Sequence, residues 1–224
     1  MKRVCFVEAC SIITMDPRWK HPFTCIVAGP TGCGKTTFVA RMLRYASSLI
    51  DPPPDKITWC YGQWQPAYET LTQQVPNVLF EEGLPESSIC DPSTNNLVII
   101  DDLMAETDAR VTTLFTKKSH HANTSVLYLV QNLFPKNKES RTISLNAQYM
   151  VLFKNPRDTS QISHLAKQMY PGKVKFVQES FENATKVPYG YLVIDLKQET
   201  PEQLRLRTSI FPDDGVQYVY LPKT

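Results

Sequence analysis

The sequence has no CxxC pair, no apolar run of membrane-spanning length, and no internal repeat or low-complexity tract. Each absence excludes something. Without paired thiols, the six cysteines (Cys5, Cys10, Cys25, Cys33, Cys60 and Cys90) are expected to be reduced intracellular thiols. Without an apolar run near twenty residues there is no expected membrane span. The opening stretch MKRVCFVEACSIITMDPR has no continuous apolar core, so no secretory signal is expected there. At 224 residues the chain suits one domain, and a full-size ATPase plus a nuclease would not fit.

What is present is ordinary in bulk and unusual in arrangement. Hydrophobic residues make up 42% and charged residues 21%, the balance of a chain that can bury its own core. The net charge of +2 hides a segregation. From Arg110 to Lys175 there are eleven Lys and Arg against two acids, a net of +9 that leaves −7 for the rest. From Glu81 to Asp108 there are eight acids and no Lys or Arg. Two solvated faces would account for this, as would a basic surface for a polyanion or complementary faces of head-to-tail subunits.

Short apolar runs alternate with helical spacing. Strands are predicted at Cys25–Gly29, Lys56–Tyr61, Val78–Phe80, Leu97–Ile100, Ser125–Val130 and Tyr149–Phe153. Helices are predicted at Thr36–Leu49, Ala67–Gln74, Ala105–Ser119, Gln161–Met169 and Val174–Ala184. A late hairpin is predicted from Tyr189–Leu196 and Leu204–Phe211. The run Asp51-Pro52-Pro53-Pro54-Asp55 reads as a stiff loop. The expected class is α/β, a mostly parallel sheet with helices on both faces and the hairpin at its end. The expected division is an extension at 1–20, a core at 21–212 and a tail at 213–224.

The sharpest local feature is Gly29-Pro30-Thr31-Gly32-Cys33-Gly34-Lys35-Thr36, which fits G-x-x-x-x-G-K-[ST] in full. An apolar strand enters it and a helical pattern leaves it through Thr37. Such a loop points backbone N–H groups at one anion, and the helix N-terminus adds partial positive charge. Lys35 would bridge the β- and γ-phosphates of ATP, and Thr36 would ligate Mg²⁺. Leu97-Val98-Ile99-Ile100 ends in Asp101 and Asp102, and such a buried strand is expected to lie next to the loop strand. Asp101 would hold Mg²⁺, and Asp102 would orient or deprotonate the attacking water. Asp102 as a helix cap is the plainer alternative. The strand Ser125–Val130 ends in Gln131 and Asn132, where an amide reaches a γ-phosphate or simply closes a turn.

Together these motifs resemble the FtsK–HerA superfamily of DNA-pumping ATPases. The runs Ser119–Val126, Gln131-Asn132-Leu133-Phe134, Lys138–Asn146 and Tyr149–Lys154 resemble the genome-packaging ATPases of the poxvirus type, including those of Polinton/Maverick elements and adintoviruses. The resemblance runs from about His21 to Pro212. It implies a ring, a hexamer, that threads double-stranded DNA into a viral capsid, at the assembling virion in the host nucleus or cytoplasm. It implies Gln131 as a polar sensor and Arg141 as an arginine entering the neighbouring subunit's site. One departure is Asp102, where many members of the superfamily carry Glu. A helicase or other nucleic-acid-dependent NTPase, and a non-catalytic switch or domesticated copy, remain open alternatives.

Four further groups remain. His120 and His121 are adjacent and point apart in an extended segment, and no Cys or carboxylate stands at zinc spacing, so no metal beyond Mg²⁺ is expected. Tyr61, Trp64 and Tyr68 would serve core or subunit packing, or stack on adenine. Lys117, Lys118, Lys136 and Lys138 are candidates for contact with DNA phosphates. Arg205 and Arg207 would share one strand face, turned to DNA, to a neighbour or to solvent.

Overall fold

Strand residues facing up and down alternate with period two, and in this chain both sets are apolar. Ile26, Val98, Ile100, Val126, Tyr128, Met150 and Ile194 pack on one side of the sheet. Cys25, Val27, Leu97, Ile99, Leu127, Val151 and Val193 pack on the other. A sheet with two apolar faces needs cover on both, which is the physical reason for the layered α/β arrangement.

The computed structural model describes residues 15–75, 77–84, 90–103, 109–119, 122–134 and 138–222. Elements in chain order are β1 (Trp19–Lys20), β2 (Thr24–Ala28), α1 (Lys35–Arg44), α2 (Ala46–Leu49), β3 (Ile50–Asp51), β4 (Lys56–Tyr61) and α3 (Pro66–Gln74). Then come β5 (Val78–Glu82), β6 (Asn96–Asp101), α4 (Ala109–Thr113), a π-helical turn (Leu114–Lys118), β7 (Thr124–Val130), α5 (Lys138–Leu145) and β8 (Tyr149–Phe153). The chain continues through α6 (Ser160–Met169), α7 (Val174–Ala184), β9 (Tyr191–Asp195), β10 (Leu206–Thr208) and β11 (Tyr218–Val219). The main sheet has nine strands in the order β11-β10-β9-β8-β2-β7-β6-β4-β5. The six from β8 to β5 are parallel, and β9, β10 and β11 extend the sheet antiparallel.

The expected class holds, with differences at particular elements. The expected helix Thr36–Leu49 breaks at Tyr45, whose φ of −108° and ψ of 21° leave the helical region. Of the helix predicted over Ala105–Ser119, residues 105–108 lie outside the described residues, and the rest widens from α into π geometry at Leu114. Helix α5 was not expected. Ser140, Ile143 and Ser144 form its buried face, and the two serines hide that stripe from a hydrophobicity pattern. The late hairpin forms as β9 and β10, with Leu206 opposite Ile194, and gains β11 as an outer strand.

Residues on both flanks of the expected core join it. Trp19 is fully buried and stacks on Tyr149, with centroids 4.3 Å apart and planes 5° from parallel. The expected exposed face of Arg205 and Arg207 is absent. Arg207 is 1% exposed, donates to Asp195 Oδ2 at 3.2 Å and to the carbonyl oxygen of Pro17. Arg205 donates to Glu202 Oε1 at 2.8 Å, to the Asp195 carbonyl at 2.9 Å and to the Thr200 carbonyl at 3.1 Å, tying down the β9–β10 connection. The reason is that the Pro17 segment packs onto Arg207, so its charge must find partners inside, while Arg205 precedes β10 in helical geometry and does not share that strand's alternation.

Arg207 therefore serves stability. Burial pushes the Asp195 carboxyl up, against the pull of the Arg207 charge and the Thr200 hydroxyl. Arg207→Met leaves that carboxylate buried without its cation and should cost about 3–5 kcal/mol in denaturant unfolding. Replacing both partners, as Arg207→Met with Asp195→Leu, should recover most of the loss. A loss under about 1 kcal/mol in the single variant would mean the pair is not the tie described here.

Candidate nucleotide site

The Gly29–Thr36 loop joins the C-terminal end of β2 to α1. Gly29 has no room for a side chain: a Cβ there would lie 2.6 Å from Cys33 Sγ and 2.7 Å from Phe153 Cβ. Gly34 caps α1 with φ of 103°, a left-handed backbone that favours glycine. Helix α1 starts with no side-chain cap and no acidic residue in its first turn. Its first amides are thus directed at the loop, the arrangement that attracts an anion.

The lysine ammonium sits at the mouth of this loop. Lys35 Nζ donates to the Gly29 carbonyl at 2.7 Å and the Pro30 carbonyl at 3.1 Å. Beside it, Thr36 Oγ1 donates to Asp101 Oδ2 at 3.3 Å. The same Asp101 oxygen accepts from the Tyr68 hydroxyl at 2.9 Å. Asp101 is buried at 4% exposure, and burial pushes its carboxyl up, opposed by the Tyr68 hydroxyl, the Lys35 charge and the Thr36 hydroxyl. A hydroxyl and a carboxylate 3.3 Å apart are hard oxygen donors facing one point, a set that fits Mg²⁺ with water completing its shell.

Tyr68 is the site residue that sequence reasoning did not find. It was offered with Tyr61 and Trp64 for packing or adenine stacking. The structure buries its ring against Trp59, 5.5 Å between centroids, and spends its hydroxyl on Asp101. Trp64 meets Tyr61 edge-on at 5.4 Å and Phe80 at 5.4 Å, so the cluster packs on itself. The signal lay in position only: α3 follows β4, and β4 pairs with β6, which carries Asp101.

The acid strand does not neighbour the loop strand, as the sequence reading expected. β7 lies between β2 and β6. That insertion changes the site, because β7 delivers Gln131 between the loop and the acids. The Gly29 N–H donates to the Val130 carbonyl at 3.1 Å, so Gln131 follows directly beside the loop. Gln131 is exposed and lines a cleft with Ala28 and Gly29. Asn132 closes a turn instead, accepting from the Phe134 N–H at 2.9 Å.

Asp102 is exposed one residue beyond β6, with φ of 58°. A Cβ on Gly62 would lie 2.8 Å from the Asp102 carbonyl, so the end of β4 closes tightly on this turn. Asp and Asn tolerate the left-handed region better than longer side chains, which accounts for Asp where Glu was the alternative. The α1 residues and Asp101 thus converge, with Asp102 and Gln131 at adjacent strand ends.

Arg141 does not join them. It is exposed on α5, whose buried residues are Ser140, Ile143 and Ser144. Lys138 is exposed on the same helix. Lys136, His120, His121 and the side chains of Lys117 and Lys118 lie outside the described residues. No helix among the described residues is long and apolar enough to cross a membrane.

No protein-family model matches this sequence, and no curated protein matches it. Solved structures do match in shape. The genome-packaging NTPase B204 of Sulfolobus turreted icosahedral virus 2, solved with ATPγS, aligns with a TM-score of 0.52 at 10% identity, over 93% of this chain and 99% of that one. EssC of Geobacillus thermodenitrificans, ATPases 2 and 3, aligns with a TM-score of 0.53 at 11% identity, over 90% of this chain and 40% of that one. A parallel sheet with the phosphate loop on β2, an inserted β7 and the acid pair on β6 has the P-loop NTPase fold of the RecA/FtsK kind.

Proposed function

We propose that this chain hydrolyses ATP and uses it to move double-stranded DNA into a viral capsid, working as a hexameric ring. The observation that carries the hydrolytic part is the contact of Thr36 with Asp101 beside Lys35, with Asp102 and Gln131 each one residue beyond the ends of β6 and β7. Lys35 and the α1 amides hold the terminal phosphates. Thr36 and Asp101 would hold Mg²⁺, which would neutralise phosphate charge there. Tyr68 fixes the Asp101 carboxylate by a hydrogen bond. Asp102 orients the attacking water or takes its proton, and Gln131 steadies the γ-phosphate or that water.

The packaging part is supported by three things. One is the near end-to-end correspondence in shape with a viral packaging NTPase. Another is the sequence resemblance over Gln131–Asn146. The third is the basic segment 110–175, which carries eleven cations against two acids. A polyanion that passes through a ring is held by phosphate contacts, which carry no base code. Arg141 is exposed on α5 and, in this reading, enters the site of the next subunit.

The test is steady-state ATP turnover with and without duplex DNA, on the parent and on mixed subunits. Duplexes of unrelated sequence should stimulate the parent equally. A mixture of Arg141→Ala and Lys35→Ala subunits should regain activity that neither has alone, since composite sites pair an intact loop with an intact arginine. Turnover indifferent to duplex DNA would remove the motor. Confirmed co-assembly with no recovery would remove Arg141 from its role between subunits.

A further inference from the structure

On the flank of the phosphate loop away from the acid strand lies a second group of aromatic side chains. Gly34 and Thr37 of the loop and α1 form its inner wall. Phe38, Phe153, Tyr191 and Phe211 form its floor, meeting edge-on: Phe38 lies 4.8 Å from Tyr191 and 5.1 Å from Phe211 between centroids. The wall is rigid. Arg41 lies 4.2 Å over the Phe211 ring and is clamped by Asp213 at 2.6 Å and Asp214 at 2.7 Å.

Tyr189 stands over the open side. A Cβ on Gly34 would lie 3.3 Å from Tyr189 Cδ1, so the ring is in contact with the loop itself. The residue is 71% exposed, so it adds little to the core. Its backbone is also in an unfavourable place. The Gly190 N–H donates to the Val187 carbonyl at 3.0 Å, which closes a turn with Pro188 second and Tyr189 third, at φ of 61°. Proline second and a positive φ third mark a type II turn, where the third place ordinarily takes glycine or asparagine. A bulky aromatic there is an outlier that folding does not reward.

We propose that Tyr189 stacks on the purine base of the nucleotide whose phosphates the loop holds, with the Phe38–Phe153–Tyr191–Phe211 floor as the apolar wall of the base pocket. This rests on the nucleotide reading of the loop. The pocket begins at Gly34 and Thr37, so a ligand anchored by its phosphates on the α1 amides enters it without leaving the loop. The strained and exposed ring supplies a flat π-face, which is what a base needs and the phosphates do not. In the Tyr61–Trp64–Tyr68 cluster, Tyr68 is buried with its hydroxyl on Asp101, and its two neighbours pack edge-on with each other.

The experiment compares binding of Mg-ATP and of inorganic tripolyphosphate to the parent, to Tyr189→Gly and to Tyr189→Phe. Tyr189→Gly relieves the turn, so its thermal midpoint should hold or rise. Its affinity for ATP should fall about tenfold or more, the size of one base–aromatic stack, with tripolyphosphate binding unchanged. Tyr189→Phe should bind ATP like the parent. Parent-like ATP affinity in Tyr189→Gly would overturn the proposal, as would equal losses for both ligands, which would make the ring a prop for the loop. A parent that binds ATP no more tightly than tripolyphosphate would also overturn it, while leaving the phosphate loop intact. A parent that binds neither would overturn the nucleotide reading and this proposal with it.

Discussion

Lys35→Ala should abolish measurable ATP turnover and weaken Mg-ATP binding while leaving the fold intact. The Lys35 ammonium is held at the loop mouth by two carbonyls, at 2.7 and 3.1 Å, and by no acid among the described residues. Those carbonyls are weak partners for a full charge, so the ammonium is available to a phosphate oxygen at small cost. Removing one uncharged donor from a site of developing charge already lowers turnover by about 10²–10³. Lys35 carries a full positive charge, so its loss should exceed that range. Lys35→Arg should fail too, because a planar fork does not fit a seat built for a compact ammonium. The thermal midpoint should barely move, since no core contact depends on this side chain. Turnover at the parent rate in Lys35→Ala would end the phosphate-loop assignment.

The second large effect separates binding from chemistry. Asp102→Asn should still bind Mg-ATP, because the donors facing the metal position are Thr36 and Asp101, which it leaves alone. Turnover should fall by about two to four orders of magnitude, the range for a lost general base. Asn suits the test because it accepts the φ of 58° found at this position, so no backbone change confounds the result. Asp102→Glu carries the opposite balance: the carboxylate is kept, but its longer chain must sit in the left-handed region against Gly62. It should lose stability as well as rate. If Asp102→Asn loses binding and turnover together, Asp102 belongs to the metal and the water must be handled elsewhere, with Gln131 next in position.

The phosphate loop was legible in the sequence because it is local: eight consecutive residues set their own backbone, and Gly29, Gly34 and Lys35 act within one turn of each other. Strand type was legible for a similar reason, since short runs apolar on both faces demand a covered parallel sheet. The acid pair at the end of Leu97–Ile100 followed from that. Lateral order is another matter. Strands β2, β6 and β7 are equally apolar, so no pattern within any of them says which lies in the middle. Only the crossovers decide it, and they set β7 between loop and acids and thereby placed Gln131. The fates of single polar residues were decided the same way. Arg207 read as a surface cation until the Pro17 segment packed onto its side chain and Asp195 met it from β9. Tyr68 read as packing until β4 laid α3 beside Asp101. Tyr189 read as the start of a strand until the turn before β9 laid its ring on Gly34. In each case the partner lies far off in sequence, and a side chain's environment at that range is a property of the packed fold.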